Sequence, residues 1–484
     1  MLPDGDFMQV QLNGRPAAAC RGGSSPRQPV ARAGPLVYHS VMLFGRYGSF
    51  DGGIDLPDEK HATLRMPIAP CPPPERLLAP LASTASGAAE PTVRVGQSVT
   101  VGELLAASAD GAAKVYAPLD GMVAGITRAL VAGGDGFQVT AAVELTDVSV
   151  PRGPAPVQQQ WDWRAAGAEE LAERLAAGGL PRHSRGMRTV TGFVRAARRA
   201  KVRTLIANVM EGQPYVTAAH RLLAEHGTDV IRGLAILGRC MGAAKLVLAV
   251  DARRTDDYRD LIGPARTYGI ENVALPHKYP IDAEAMLVKV LCRRETPIGG
   301  SSLDVGAAVV DAATCLAVYR WVACDAPPTG RVVTVSGENA GRRGNFWVPF
   351  GMNCRELAHA EAEPVIHGGP MAGLRCPPAA VVSPATDAVL APRAADAPAA
   401  GRCIRCGWCT DHCPARLNVA ALNDAYELGR VRHAGRLGAE ACVACGICTY
   451  VCPSRLPLSQ RVKQLRRSVA DLRRNMPLFA EEKA

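Results

Sequence analysis

The sequence contains no uninterrupted apolar run long enough to cross a membrane, although 48% of its 484 residues are hydrophobic. Its most apolar region, from Gly233 to Val250, is interrupted by Arg239 and Lys245. A transmembrane helix needs about 20 predominantly apolar residues, so none is expected here. The N-terminus also lacks a basic stretch followed by an apolar one, which argues against a secretory signal peptide. We therefore expect a chain that stays in the cytoplasm unless it docks on a membrane or a partner.

Nucleic-acid-binding signatures are also missing. The net charge of +10 would suit nucleic acid, an anionic membrane surface or an acidic partner. Basic residues concentrate in Arg182–Arg203 and in Arg461–Arg474. No zinc-finger, helix-turn-helix or RNA-binding motif accompanies them, so we expect no nucleic acid partner.

The sequence has sixteen cysteines, and the missing secretion signal argues against a disulfide framework. Half of them are scattered, and we interpret these as small buried hydrophobic residues or inert thiols: Cys20, Cys71, Cys240, Cys292, Cys315, Cys324, Cys354 and Cys376. The others fall in one C-terminal window. They form the run C-x2-C-x2-C-x3-C-P twice, at 403–414 and at 442–453.

This doubled run is typical of bacterial two-cluster ferredoxins, in which the fourth cysteine of each run binds the other cluster. The sequence therefore predicts two [4Fe–4S] clusters and a function in electron transfer. The predicted ligands of the first cluster are Cys403, Cys406, Cys409 and Cys452. The predicted ligands of the second are Cys442, Cys445, Cys448 and Cys413. Structural zinc, the alternative, usually takes two cysteine pairs rather than two quartets.

The first part of the chain predicts an arm and a small β domain. Residues 1–34 are rich in Gly, Pro, Arg and Ala and are expected to be flexible. Within 35–150, the runs Thr92–Leu105 and Val115–Val123 have the short alternating pattern of a sandwich or barrel. This pattern resembles the barrel-sandwich hybrid of biotinyl and lipoyl carriers. Lys114 lies too close to the following Ala-Pro pair to occupy a carrier's hairpin tip, which favours a structural domain without an attached cofactor.

The central part of the chain predicts a parallel sheet followed by a second small domain. Residues 160–325 alternate strand and helix patterns, which indicates an α/β domain with short crossovers. Residues 328–376 contain strands of a small sheet-bearing domain. An Ala- and Pro-rich linker is predicted at 377–400, before the ferredoxin module at 401–460.

The tail at 461–484 has the pattern of a basic amphipathic helix. One apolar stripe repeats at spacings of three and four: Val462, Leu465, Val469, Leu472 and Met476. Two interpretations remain open. In the first, the stripe packs back onto the ferredoxin module. In the second, the helix holds the clusters against an anionic membrane surface or an acidic partner.

Several further motifs occur in a fixed order between about residues 45 and 460. They are Phe50–Pro57, Ala117–Val123, His277–Pro280 with Ala283-Glu284, Pro297–Gly300 with Asp304–Gly306, Gly344–Val348, Gly368–Gly373 and the two cysteine runs. Together they resemble the RnfC family, the C subunits of the Rnf ion-translocating electron transport complex, to which cobalamin-reductase-type proteins are related.

The resemblance implies a multidomain α/β protein with additional small β domains. The expected parts are a barrel-sandwich hybrid, a Rossmann-like domain similar to the flavin subunit of complex I, a β-grasp (SLBB-like) domain and a two-cluster ferredoxin domain. It further implies that electrons enter from NADH through FMN and pass through the two clusters to membrane-embedded partner subunits. NADH or ferredoxin is the expected redox partner. In that complex the RnfC protein is peripheral, on the cytoplasmic side of the inner membrane.

The flavin site departs from the family pattern. Where the family has G-x-G-G-A-G-F-P-T, this chain has Gly178-Gly-Leu-Pro-Arg-His-Ser-Arg-Gly-Met187. In the second motif, N-x-x-E-x-E-P-Y, Gln213 replaces the second acid. The candidate FMN-binding residues that remain are Gly178, Gly179 and Glu211. A loop of residues with side chains cannot approach a phosphate as glycine does, so we expect weak or no FMN binding and little NADH oxidation.

Three functions are compatible with this sequence. The leading one is an iron–sulfur electron-transfer subunit of a membrane-associated Rnf-type oxidoreductase complex. The alternatives are a soluble flavin and iron–sulfur reductase of the cobalamin-reductase type and a non-enzymatic electron-relay adaptor with a degenerate flavin site. Bound flavin would argue against the adaptor, and co-purification with integral membrane subunits would separate the other two.

Overall fold

A computed structural model describes residues 47–81, 83–84, 87–134, 136–150, 157–182, 189–360, 364–393 and 399–475. The predicted flexible arm at 1–34 lies outside these ranges, as do residues 183–188 of the predicted flavin loop and Met476 of the apolar stripe. Within the described ranges, no helix is both long and apolar enough to span a bilayer.

Strand β1 (Ile68–Pro70) precedes the first domain and pairs in parallel with a strand of the mixed sheet described below. The first domain is built from antiparallel strands, most of them short. They are β2 (Leu77–Pro80), β3 (Ser83–Thr84), β4 (Gly87–Ala88), β5 (Glu90–Pro91), β6 (Ser98–Val99), β7 (Leu104–Ala107), β8 (Lys114–Tyr116), β9 (Gly121–Gly133) and β10 (Gly136–Thr146). One sheet has the order β2-β10-β9-β6, a second has the order β5-β7-β8, and β3 pairs with β4. Leu77, Leu105 and Leu145 come from both sheets and are fully buried in one core, as the alternating pattern predicts.

The α/β domain contains a four-stranded parallel sheet in the order β13-β12-β11-β14. Its elements are α1 (Ala168–Ala177), α2 (Val190–Arg199), β11 (Thr204–Asn208), α3 (Ala218–Met241), β12 (Lys245–Asp251), α4 (Ile262–Thr267), β13 (Ile270–Leu275), α5 (Glu284–Cys292), β14 (Ala307–Asp311) and α6 (Ala312–Cys324). Leu205 and Ala207 on β11 pack with α3 and α6, whereas Ile206 packs with α5 on the opposite face. Helices therefore cover both faces, which explains the continuously apolar strands.

A mixed six-stranded sheet follows, in the order β1-β16-β15-β19-β17-β18. Its remaining elements are β15 (Gly330–Ser336), β16 (Gly344–Pro349), α7 (Cys354–Ala358), β17 (Ile366–His367), β18 (Leu374–Arg375) and β19 (Ala388–Leu390). The predicted linker at 377–400 is therefore wrong in its first part. Strand β19 pairs with β15, and Val381, Val382 and Val389 are buried. The Ala- and Pro-rich composition of this stretch concealed these valines, whose burial contributes apolar surface to the core.

The ferredoxin module is helical in its described part. Its helices are α8 (Trp408–Asp411), α9 (Val419–Glu427), α10 (Val431–Arg436), α11 (Ile447–Tyr450) and α12 (Leu458–Asn475). Helix α12 begins before the predicted tail at 461–484. Val462, Leu465 and Val469 are at most 3% exposed and pack in the core of the module. The interpretation in which the stripe packs back is confirmed, and these three residues are not available to a membrane surface.

Basic residues of α12 are also bound to the module. Arg461 forms an ion pair with Glu427, with a distance of 2.6 Å between the Nη1 and Oε1 atoms. Arg466 donates a hydrogen bond of 2.8 Å from Nη1 to the carbonyl oxygen of Cys442. The helix is therefore an integral part of the ferredoxin module, and its Arg466 contacts the backbone of a predicted cluster ligand.

Helices α3 and α6 cross with their backbones in close contact at Gly233. A Cβ atom on this residue would lie 1.8 Å from the carbonyl oxygen of Cys315 on α6. A clash with a backbone atom cannot be relieved by a rotamer change, so only glycine fits at this crossing.

We predict that Gly233→Ala lowers thermal stability, because the new methyl group forces the two helices apart. Overpacking of this kind costs about 1–3 kcal/mol of unfolding free energy. Gly263→Ala on α4 is the matched control, since no atom lies within 4 Å of the added methyl group. The midpoints of thermal unfolding measure the difference. Equal midpoints for the two variants would show that the helix crossing tolerates a side chain.

Candidate iron–sulfur centres and an adjoining cavity

Two small cavities in the ferredoxin module each collect four cysteines. The first cavity is lined by Cys403, Cys406, Cys409 and Cys452. The second cavity is lined by Cys413, Cys442, Cys445 and Cys448. Each cavity thus combines three cysteines of one run with the fourth cysteine of the other. The structure brings together the same quartets that the crossed ferredoxin pattern predicts.

The two cysteine runs fold in the same way. Arg405 and Ala444, each directly before the second cysteine of its run, both have a φ of 59°. Gly407 and Gly446 both have a φ of 84° and form the N-caps of α8 and α11. Glycine adopts this left-handed conformation without steric cost, and it lets the backbone approach the cavity. The donor set and the repeated loop fit a cubane cluster in each cavity.

The two cavities differ in their access to solvent. Cys403 and Cys406 are exposed, whereas the cysteines of the second cavity are all at least half-buried. Burial raises the pKa of Cys445 to about 12 and that of Cys448 well above its usual value. A thiolate at either position therefore needs a compensating positive charge, which bound iron would supply.

The N-terminal described segment closes one side of the second cavity. A Cβ atom on Gly52 would lie 2.7 Å from the carbonyl oxygen of Cys413. The amide of Gly53 donates a hydrogen bond of 2.9 Å to the carbonyl oxygen of His412. The motif Phe50–Pro57 is therefore in backbone contact with the fourth cysteine of the first run.

Two other motifs contact the backbone that lines the second cavity. The hydroxyl of Tyr279 donates a hydrogen bond of 2.5 Å to the carbonyl oxygen of Cys445. A Cβ atom on Gly446 would lie 2.0 Å from the carbonyl oxygen of Met371. Gln213 joins both contacts: its Nε2 donates to the Tyr279 hydroxyl at 2.8 Å, and its Oε1 accepts from the Met371 amide at 3.1 Å. The second cavity is thus held against the α/β domain and the mixed sheet.

Gln213 also lines a larger cavity of about 240 Å³ between the α/β domain and the mixed sheet. This cavity lies at the carboxyl ends of β11 and β14, where Asn208 and Asp311 are register partners. The sheet order places β12 on one side of β11 and β14 on the other, so the winding direction reverses here. Ligands of open α/β sheets bind at such a switch point. Gln213 and Tyr279 connect this cavity to the second cluster cavity.

Buried charged groups lie in and beside this cavity: Glu211 and Asp282 line it, and Lys60 contacts Glu211. The Lys60 ammonium donates a hydrogen bond of 2.6 Å to the carbonyl oxygen of Glu211 and lies 3.9 Å from its carboxylate. Burial raises the pKa of Glu211 to about 7, although Lys60 partly offsets this effect. Burial likewise raises the pKa of Asp282 to about 6. The Oδ1 atom of Asp282 is buried and has no hydrogen-bond partner among the described residues, so it can accept a hydrogen bond from a ligand.

Gly178 and Gly179 do not line this cavity. A Cβ atom on Gly178 would lie 2.6 Å from the indole nitrogen of Trp321, and one on Gly179 would lie 2.6 Å from the amide of Lys114. The Lys114 ammonium also donates a hydrogen bond of 2.7 Å to the carbonyl oxygen of Ala177. The glycine pair therefore allows the β domain to pack on the α/β domain, and it does not cradle a phosphate. Lys114 is engaged in this contact, which agrees with a structural role for the β domain.

The structure thus separates the candidate flavin residues, since Glu211 lines the α/β cavity and the glycine pair does not. Arg182, at the start of the altered loop, stacks on Phe193 at 4.0 Å and donates a 2.6 Å hydrogen bond to the carbonyl oxygen of Val309. Sequence reasoning missed Lys60 and Asp282. Both flank recognised motifs, but only the fold brings Asp282 to the cavity and Lys60 to Glu211, which lines it.

Three family models match separate parts of the chain. Residues 48–147 match the RnfC barrel sandwich hybrid domain. Residues 190–320 match the Nuo51 FMN-binding domain. Residues 398–453, which contain all eight window cysteines, match the 4Fe-4S dicluster domain. The predicted fold class and the two [4Fe–4S] clusters are confirmed, and an FMN-type cavity is compatible with the second match.

Native stability should decrease between about pH 4 and about pH 6 as Asp282 ionises, and we predict that Asp282→Asn removes this decrease. The folded-state pKa of Asp282 is raised, so the folded state favours the protonated form. Its contribution is fully present below the unfolded pKa and is lost as the pH rises through about 6. Over this interval the thermal midpoint of the native protein should fall by at least about 2 °C relative to that of the variant. Asp260→Asn, at an exposed site on the same domain, is the control. Parallel pH profiles would contradict the expectation.

Comparison with whole proteins gives the same result. The chain is 31% identical over 416 residues to the C subunit of the ion-translocating oxidoreductase complex of Rhodobacter capsulatus, covering 83% of this chain and 79% of that protein. It is also 31% identical to the Erwinia tasmaniensis protein of the same name, over 77% of this chain and 47% of that protein. A crystal structure of an NAD+-reducing [NiFe]-hydrogenase aligns with 66% of this chain and 68% of its own, at 14% identity and a TM-score of 0.43. The chain belongs to the RnfC family, the C subunits of the ion-translocating oxidoreductase complex.

Proposed function

We propose that this chain is the iron–sulfur electron-transfer subunit of a membrane-associated, Rnf-type ion-translocating oxidoreductase complex. The observation that supports this most directly is the convergence of eight cysteines into two crossed quartets within one module. Family membership supplies the context, because the relatives are named as subunits of such a complex.

The proposal assigns a ligand set to each cluster. Cys403, Cys406, Cys409 and Cys452 hold the cluster of the first cavity. Cys442, Cys445, Cys448 and Cys413 hold the cluster of the second cavity. When bound, the clusters supply reversible one-electron chemistry. The crossed ligation keeps the two sites adjacent, because each run contributes a cysteine to both.

The residues around the second cavity fix the backbone of its cysteines and cover it from solvent. Tyr279 holds the Cys445 carbonyl, and Gly52 allows the backbone to seal the side next to Cys413. The first cavity lies at the surface instead. This arrangement supports a route in which electrons move between the α/β side and the outside of the module by way of both sites.

The partners and the location are part of the same proposal. NADH or a ferredoxin exchanges electrons with the chain, and the other subunits of the complex lie in the membrane. The chain itself sits peripherally on the cytoplasmic side of the inner membrane. The family resemblance supports these assignments.

The residues at the α/β cavity fit only part of FMN. Asp282 offers a free acceptor for a ring N–H group, and the cavity lies at the position expected for a ligand of this fold. No described glycine cradle is left for the phosphate, because Gly178 and Gly179 are covered by Trp321 and Lys114. We therefore propose that FMN binds weakly, and that the clusters carry the function.

We predict that Cys452→Ala disrupts the first cluster, although Cys452 lies in the second run. Iron content should fall by about half, and one of two electron paramagnetic resonance signals of the reduced protein should disappear. Cys292→Ala, which removes a half-buried thiol of the α/β domain, is the control and should leave both signals unchanged. If Cys452→Ala instead removed the same signal that Cys442→Ala removes, the crossed assignment would be contradicted. Tightly bound zinc without iron would contradict the presence of the clusters.

We predict substoichiometric flavin in protein purified without oxygen. The altered flavin loop has side chains where the family has glycine, and Gly178 and Gly179 are covered, so no phosphate cradle is left. Flavin released by denaturation and titration of the protein with FMN measure this directly. NADH-dependent dye reduction should be low at the same time. Stoichiometric FMN with rapid NADH turnover would show that another part of the chain holds the phosphate.

A further inference from the structure

A short chain of hydrogen bonds ends on the backbone of the second cluster cavity. It runs from the Met371 amide through the Gln213 side chain and the Tyr279 hydroxyl to the carbonyl oxygen of Cys445. Its three links measure 3.1, 2.8 and 2.5 Å in that order. Both ends are backbone groups, and Cys445 is a proposed ligand of the second cluster.

The two ends of this chain determine the direction of every link. The Met371 amide can only donate, so it faces the oxygen of the Gln213 amide, and the Nε2 atom faces Tyr279. The carbonyl oxygen of Cys445 can only accept, so the single hydroxyl proton of Tyr279 points at it. A neutral amide at position 213 therefore satisfies each donor and acceptor of the chain.

The surrounding backbone holds both side chains of the chain in place. Tyr279 is 1% exposed, and its amide and carbonyl oxygen both form hydrogen bonds with the backbone of Ile54. A Cβ atom on Gly369 would lie 2.4 Å from the Oε1 atom of Gln213, so the main chain covers the amide closely. Rotation of either side chain is restricted, and a chemical change at position 213 must therefore act on the hydroxyl of Tyr279.

A carboxylate at position 213 would break the chain. Both of its oxygens are acceptors, and the one next to Tyr279 would compete with the carbonyl oxygen of Cys445 for the single hydroxyl proton. One of these two acceptors would then face the hydroxyl without a donor, which is costly in a buried place. The family motif has an acid at this position, whereas this chain has Gln213.

The charge state of position 213 also affects reduction of the second cluster. A cluster gains one negative charge when it accepts an electron. A hydroxyl proton that points at the ligand backbone favours this reduced state, and a nearby carboxylate opposes it. Four acids already line the adjoining cavity with Gln213, namely Glu211, Asp282, Asp311 and Asp387. A neutral residue at position 213 avoids a fifth.

We propose that Gln213 is a positioning residue for the second cluster, and that it raises the reduction potential of this cluster through Tyr279. The inference rests on the proposed function, since it requires a cluster in the second cavity. Gln213 orients the Tyr279 hydroxyl, and that hydroxyl contacts the backbone of Cys445. The glutamine that replaces an acid of the flavin motif is therefore a residue that favours reduction of the second cluster.

The test is a redox titration of the full chain with reconstituted clusters, without oxygen and at about pH 9, where an added carboxylate is ionised. Electron paramagnetic resonance follows each cluster, and the signal that remains in Cys452→Ala identifies the second one. The variants are Gln213→Glu, which keeps the shape of the side chain, Tyr279→Phe, which removes only the hydroxyl, and the two combined.

Gln97→Glu in the first domain is the matched control. Gln97 is half-buried as Gln213 is, and its side chain makes the same kinds of contact. Its Oε1 atom accepts a hydrogen bond of 3.0 Å from the Arg94 amide, and its Nε2 atom donates one of 3.2 Å to Glu103. The control therefore adds the same charge to the protein at a site that lines neither cluster cavity.

We expect Gln213→Glu to lower the equilibrium constant for reduction of the second cluster about tenfold, a shift of about 59 mV in its midpoint potential. The first cluster should shift much less, because it lies at the surface, where solvent screens charge. Tyr279→Phe should lower the second potential in the same direction without any added charge. In the combined variant, the glutamate should have a smaller effect than it has alone, because no hydroxyl proton remains to be diverted.

The other outcomes are equally decisive. If both clusters assemble and the second potential in Gln213→Glu equals that of the native chain or of the control, the positioning role is wrong and the proposed function still stands. Additive effects in the combined variant would show that charge acts without Tyr279, which also overturns the positioning role. A native preparation without iron would overturn both proposals. If Gln213→Glu does not retain its second cluster, Gln213→Met replaces it: it breaks the chain without adding charge, and an unchanged second potential would again overturn the role.

Discussion

The architecture depends on close backbone contact around the second cluster cavity. Gly52 meets the carbonyl oxygen of Cys413, and Gly446 meets that of Met371, at distances that leave no room for a Cβ atom. These contacts involve an N-terminal segment, the mixed sheet and the ferredoxin module, which are remote in sequence. Because none of them can be relieved by a side-chain rotation, the ferredoxin module is docked in one position rather than carried on a loose tether.

This docking links the chemistry of two parts of the chain. The side chain of Gln213 contacts Tyr279, and Tyr279 contacts the backbone of Cys445. Gln213 also lines the cavity at the switch point of the parallel sheet. An α/β domain with a weakened phosphate site therefore still has a structural role, because it completes the enclosure of the second cluster cavity.

The sequence predicted those features that local spacing determines, namely the crossed cysteine quartets and the strands and helices of the parallel sheet. It was wrong where distant partners decide the outcome. The stretch 377–400 looked like a linker, yet β19 pairs with a strand about fifty residues earlier. Gly178 and Gly179 looked like remnants of a phosphate loop, yet Trp321 and Lys114 occupy the space beside them. Composition and spacing contain no information about such long-range contacts.

The two cluster sites show how surroundings separate sites that have the same ligands. Both runs use the same backbone turns, with a φ of 84° at Gly407 and at Gly446. Gly446 lies under Met371, and Gly407 has no backbone atom within 4 Å of its Cβ position. Solvent exposure and hydrogen bonds to the sulfurs are among the properties that set cluster potentials. The fold therefore converts a sequence repeat into two inequivalent sites, because only one of them is covered by the rest of the chain.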